Sequence, residues 1–203
     1  MKTFPILLDL HGKLAVVIGA GEVGRRKVHA LLEVGAEIKC VDPHMPPETA
    51  ALHDASVLLI RKPYCPEHLE GATLVFACTD DRVLNAQIAR DAQWVGALVN
   101  VADQPEDCDF TMPAVARDGD VVVAVGTGGS SPALAGRLRN HLAAALPPRT
   151  GEFAAALARL REEHQRDPDT TRRSDRMRRL ASHEAYEAFL HGGNDALRKL
   201  LTR

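Results

Sequence analysis

Aromatic residues are scarce. They make up 4% of the 203 residues, with a single tryptophan. The basic run Arg176-Met177-Arg178-Arg179 has acids around it and no aromatics between its charges. It therefore reads as a solvated helix face rather than a nucleic-acid surface. Cysteine is sparse too. Cys40, Cys65, Cys78 and Cys108 show no C-x-x-C spacing, and Cys40 and Cys78 sit in apolar runs, which suits reduced core thiols in a cytoplasmic protein. No apolar run reaches 18 residues, so no membrane span is expected. Met1-Lys2-Thr3-Phe4-Pro5 leads straight into fold-like sequence, with no evident signal peptide. Internal repeats and low-complexity segments are also missing. His29, His44, His53, His68 and His141 are scattered, and nothing has metal-ligand spacing.

What is present is an ordinary globular composition with one conspicuous loop. Apolar residues make up 45% of the chain and the net charge is −2, enough for one domain plus an extension or two small domains. Residues 1–112 carry 10 basic and 16 acidic side chains, and 113–203 carry 15 and 11. A basic second half suits an anionic ligand and equally suits an uneven surface. The loop is Gly19-Ala20-Gly21-Glu22-Val23-Gly24, between the apolar run Leu14–Ile18 and a helical pattern over 25–34. At a strand-to-helix turn, Gly19 allows the tight turn, Gly21 the close approach of a pyrophosphate and Gly24 the packing of helix on strand. The helix N-terminus then offers N–H groups to phosphates. A second strand over 37–41 ends at Asp42, where an acid suits the 2′-OH of an NAD ribose and repels the 2′-phosphate of NADP.

Further along, strands are expected over 57–60, 73–78 and 97–101. The fourth strand ends at Thr79-Asp80-Asp81, where Thr79 or Asp80 can cap a helix over 82–93 and also lies on the ligand side of an open α/β sheet. Asn100 and Asp103 follow the fifth strand on that same side, as turn formers or as ligand contacts. Residues 109–114 and 121–125 read as two strands joined by a turn at 117–120. Then Gly126-Thr127-Gly128-Gly129-Ser130-Ser131-Pro132 opens a helix over 133–146. Ser131 suits its cap and Pro132 its first position, which makes a second anion site at a helix start. Arg137 and Arg139 on that helix can pair with carboxylates or serve solubility. Helices are expected over 152–164 and 183–190, with a stop at Gly192-Gly193-Asn194.

The order of these motifs resembles the precorrin-2 dehydrogenase family, the NAD-dependent module of sirohaem synthase. The residues carrying the resemblance are GAGEVG at 19–24, T-D-D at 79–81, N-V-A-D at 100–103, D-F-T-M-P-A at 109–114 and V-G-T-G-G-S-S-P at 125–132. It covers residues 3–146 well and the helical tail only in outline. It implies an α/β fold: a Rossmann-like parallel-sheet domain over 1–112, a small strand-helix dimerisation region over 113–148 and a helical C-terminal domain over 149–203. It implies a homodimer that oxidises precorrin-2 to sirohydrochlorin with NAD as cofactor. Asp103 falls on the family's essential aspartate, and Glu22, Val23, Pro43 and His44 fall on its NAD contacts. With the residues read above, the expected cofactor site is Gly19, Ala20, Gly21, Glu22, Val23, Gly24, Asp42, Pro43, His44, Thr79, Asp80 and Asn100. The expected substrate cradle is Thr127, Gly128, Gly129, Ser130 and Ser131. Thr127 stands where some relatives carry a serine. No metal, nucleic acid or membrane is expected to be bound. Two other readings carry different chemistry: a bifunctional enzyme that also inserts iron into sirohydrochlorin, and a non-catalytic NAD-sensing module.

Overall fold

The computed structural model describes residues 3–52, 54–164 and 169–201. His53 lies outside them. The chain forms two compact units, the first ending at Thr111 and the second beginning at Met112.

The first unit is a five-stranded sheet with every neighbouring pair parallel: β1 (Leu14–Ile18), β2 (Glu37–Val41), β3 (Val57–Ile60), β4 (Leu74–Ala77) and β5 (Leu98–Val101). Its order is β3-β2-β1-β4-β5, so the chain builds outward from β1 to one side, then returns and builds to the other. The two halves part between β1 and β4, and such a switch point opens a crevice at the strands' carboxyl ends. Helices α1 (Glu22–Leu32) and α2 (Arg82–Trp94) cover opposite faces. Alternate residues of each strand supply the two cores. Ala15, Val17, Cys40 and Phe76 pack with Val28 and Leu31 of α1. Val16, Ile18, Val75, Val99 and Val101 pack with Ile88, Ala89 and Ala92 of α2. This is the Rossmann-like α/β arrangement expected from the apolar β-branched runs.

The segment 109–114 departs from expectation. Residues 109–113 lie outside the hairpin, which begins at Ala114. Asp109 instead lies along the free edge of β5, donating its N–H to Val99 O at 2.9 Å and accepting Val99 N–H on its carboxylate at 3.0 Å. Asn100 Nδ2 donates to Phe110 O at 2.9 Å. These contacts cover an edge that would otherwise carry unpaired backbone groups. The hairpin comes later, with β6 (Ala114–Asp118) antiparallel to β7 (Val121–Val125). Only Gly119 and Asp120 link the two strands, and Gly119 supplies the positive φ (56°) that so short a turn needs.

In the second unit the hairpin packs with α3 (Pro132–Ala144), and α4 (Thr150–His164), α5 (Thr170–Leu180) and α6 (His183–Leu201) form a helical cluster. Its core is Ala156, Leu160, Leu180, Ala185, Phe189 and Leu197. The expected stop at 192–194 is a break inside α6, where Gly193 is non-helical. Along α3, Leu134, Leu138 and Leu142 recur every four residues and are exposed. Among the described residues, no helix is long and apolar enough to cross a membrane.

The buried thiols give the first unit an alkaline limit. Burial pushes Cys78 up to about 11 and Cys40 up to about 12, from the usual 9.0. The fold therefore holds protons that the unfolded chain releases. The stability linked to them is complete below pH 9 and is lost as pH rises through about 11 and 12. Between pH 8 and pH 10.5, Cys78 alone should account for about 2 kcal/mol of lost stability. Urea unfolding of wild type and Cys78→Ala at the two pH values checks this. The variant should show a smaller pH effect, and an equal effect in both would contradict it.

Candidate functional site

Four loops leave the carboxyl ends of β1, β2, β4 and β5 and gather the candidate residues of the first unit. The glycine loop comes first. Gly19 has φ 100°, and a Cβ there would lie 2.4 Å from Cys78 O and 3.0 Å from Thr79 N. A Cβ on Gly24 would lie 1.9 Å from Gly19 O. Both positions thus exclude side chains, because the loop folds against its own backbone and against the end of β4. Gly21 differs: a Cβ there would meet nothing within 4 Å. It is the N-cap of α1, and the helix start has no side-chain cap. Helix α1 begins at Glu22 rather than near Arg25, so exposed Glu22, half-buried Val23 and buried Gly24 form its first turn. The uncapped N–H groups face a clear approach, the arrangement that receives phosphate oxygens.

Asp42 ties this loop to the second one. One carboxylate oxygen accepts Ala20 N–H and the other accepts His44 N–H, both at 2.7 Å. Arg25 Nη1 donates to Ala20 O at 3.0 Å, so Ala20 is held on both sides. A carboxylate has about four acceptor sites, and two remain for a sugar hydroxyl. Pro43 and His44 follow, both exposed. These residues fit a dinucleotide: open space at Gly21, an uncapped helix start and an acid at the end of β2.

After β4 the helix cap is Asp81, not Thr79 or Asp80. Its carboxylate accepts Val83 N–H at 2.8 Å and Leu84 N–H at 3.1 Å. Asp80 is exposed. Thr79 is engaged instead by Asn85, a buried asparagine that sequence patterning passed over because it lies inside a helix. After β5, Asn100 spends its amide on Phe110 O, and Asp103 is exposed with φ 58°. Among the described residues only Arg149 is another non-glycine with positive φ. Aspartate tolerates this conformation better than most residues. The loop around Asp103 is pinned by Cys108, whose Sγ accepts Val101 N–H at 3.1 Å and lies 3.3 Å from Gln104 O. Gln104 is buried and donates Nε2 to Asp107 at 2.9 Å. Lys27, also unnoticed in the sequence, places its ammonium 5.2 Å from the Phe76 ring centre, and burial pulls its pKa down.

The second glycine loop belongs to the second unit. Thr127 closes it: Oγ1 donates to Ser131 O at 3.1 Å and accepts Ser131 N–H at 3.2 Å. Gly128 and Gly129 take positive φ values of 61° and 86°. Ser131 caps α3 by accepting Leu134 N–H at 3.2 Å, as expected, and Ser130 is exposed. Arg139 is turned to structure, donating to Val115 O at 2.7 Å, while Arg137 is exposed. Among the described residues, no group of three His, Cys, Asp or Glu side chains is arranged to hold a metal ion.

Comparison with known proteins agrees with this geometry. A family model described as "Putative NAD(P)-binding" matches residues 6–114, more than half of the chain. Siroheme synthase of Methylobacillus flagellatus is 37% identical over 163 residues, covering 80% of this chain and 35% of the relative. Siroheme synthase of Methylococcus capsulatus is 37% identical over 204 residues, covering 99% of this chain and 43% of the relative. The chain thus spans well under half the length of these curated relatives. A solved structure described as SirC, precorrin-2 dehydrogenase, matches 98% of this chain and 99% of its own at a TM-score of 0.75 and 21% identity, which shows a shared fold. With the matched residues running from the segment before β1 to the start of β6, and the glycine loop built as described, the chain belongs to this NAD(P)-binding family.

Proposed function

We propose that the chain is an NAD-dependent dehydrogenase that converts precorrin-2 to sirohydrochlorin, working as a cytoplasmic homodimer. The observation that carries the reading is the open, uncapped start of α1 beside Gly21, tied through Ala20 to Asp42. The motif series shared with precorrin-2 dehydrogenases and the similarity to siroheme synthases support the choice of substrate. Bound NAD⁺ would supply the hydride acceptor. The chain's own residues do the rest. The α1 N–H groups hold the pyrophosphate, and Asp42 takes a ribose hydroxyl and disfavours a 2′-phosphate. Asp103 takes the proton that the macrocycle loses, so that precorrin-2 and NAD⁺ give sirohydrochlorin, NADH and H⁺. The tetrapyrrole's carboxylates suit the start of α3 at Thr127–Ser131, a second helix N-terminus. The exposed leucines of α3 support the dimer, since an apolar stripe of this kind marks a contact surface. The division into an NAD-binding domain over 1–112, a dimerisation region over 113–148 and a helical domain over 149–203 belongs to the same proposal.

Cofactor choice tests the reading. With precorrin-2 generated in situ, NAD⁺ should support oxidation at least about tenfold better than NADP⁺, because Asp42 opposes the extra phosphate. Equal rates with the two cofactors would contradict the role given to Asp42.

A further inference from the structure

Asn85 is 2% exposed, and a buried amide is costly unless its groups are bonded. Its bonds all go to one residue. Oδ1 accepts Thr79 N–H at 3.2 Å and the Thr79 hydroxyl at 2.7 Å, and Nδ2 donates to Thr79 O at 2.9 Å. Thr79 Oγ1 also accepts Asp81 N–H at 3.3 Å. One side chain thus fixes both polar backbone groups and the hydroxyl of the residue that follows Cys78. That residue forms a wall of the glycine loop, because Gly19 packs so closely on Cys78 O and Thr79 N that no Cβ fits between them. The wall stands at the switch point between β1 and β4, where the crevice opens.

We infer that Asn85 is a positioning residue for the dinucleotide. Acting through Thr79, it holds the end of β4 where the glycine loop needs it to keep the phosphate cradle formed. The inference rests on the reading that this loop binds a dinucleotide. It assigns a role to a residue that does not itself touch the ligand. A loosened Thr79 peptide would let Gly19 and the start of α1 shift, and phosphate contacts are sensitive to such shifts.

The test is NADH affinity, measured by fluorescence titration of the full chain at a temperature well below unfolding. Asn85→Ala loses all three bonds and should weaken NADH binding about tenfold or more. Thr79→Val loses only the hydroxyl and should weaken it about threefold. The two effects should not add in the double variant, since both remove the same clamp. Asn85→Asp keeps the acceptor but turns a carboxylate oxygen toward Thr79 O, so it should resemble Asn85→Ala rather than wild type. A purely structural role would lower the melting temperature and leave the affinity of folded protein unchanged. Wild-type affinity in folded Asn85→Ala overturns the inference alone. Should Asn85→Ala not fold, wild-type affinity in Thr79→Val overturns it. Failure of the wild type to bind NADH overturns both the inference and the dinucleotide reading.

Discussion

Replacing Asp103 with asparagine should cut turnover of precorrin-2 at least about a hundredfold while NADH affinity and melting temperature stay at wild-type values. The expectation comes from backbone and charge together. Asp103 sits in the left-handed region just past β5, exposed at the carboxyl edge. Asparagine tolerates that region as aspartate does, so the substitution changes the charge and leaves the loop in place. Asp103→Ala adds backbone strain of about 1 kcal/mol and should lower stability as well as rate, whereas Asp103→Gly should lower rate alone. Measuring kcat, NADH affinity and melting temperature across the three variants separates proton transfer from loop geometry. Full activity in Asp103→Asn would leave Asp103 as a turn residue.

The second large effect distinguishes two glycines of one loop. Gly24→Ala places a Cβ 1.9 Å from the Gly19 carbonyl oxygen, a backbone atom with no rotamer to escape into. The loop or the helix must move, so the variant should lose about 3 kcal/mol of stability or more and bind NADH poorly. Gly21→Ala meets nothing within 4 Å and has an ordinary φ of −61°. It should fold like wild type. It should still lose at least about tenfold in NADH affinity, because the added methyl stands where the pyrophosphate approaches. Urea unfolding and NADH titration of both variants check the pattern. A stable Gly24→Ala, or a Gly21→Ala with undiminished affinity, would contradict the account.

The parallel sheet was legible in the sequence because β1 and β4 are continuous apolar runs buried on both faces, a pattern that glycine and proline punctuation isolates cleanly. The glycine loop was legible because its three glycines have distinct steric duties. Two of those duties are visible as forbidden Cβ positions and the third as open space. Other features depend on contacts between segments far apart in the chain or on side-chain partners that periodicity does not encode. Asp109 and Phe110 look strand-like, yet they bond Val99 and Asn100 at the sheet edge and leave the hairpin to later residues. Thr79 and Asp80 are both good cap residues by propensity. The cap is Asp81, whose carboxylate accepts Val83 N–H, while the Thr79 hydroxyl goes to Asn85. Thr127 reads in sequence as a ligand contact, and the bond of its hydroxyl to Ser131 within its own loop is visible only in the fold.

The most direct measurement is the stoichiometry of products when the purified chain meets precorrin-2 and NAD⁺ under anaerobic conditions. One NADH is expected for each sirohydrochlorin, with both products suppressed together in Asp103→Asn. Tight NADH binding without NADH formation from precorrin-2 would contradict the dehydrogenase and favour a module that only senses the dinucleotide.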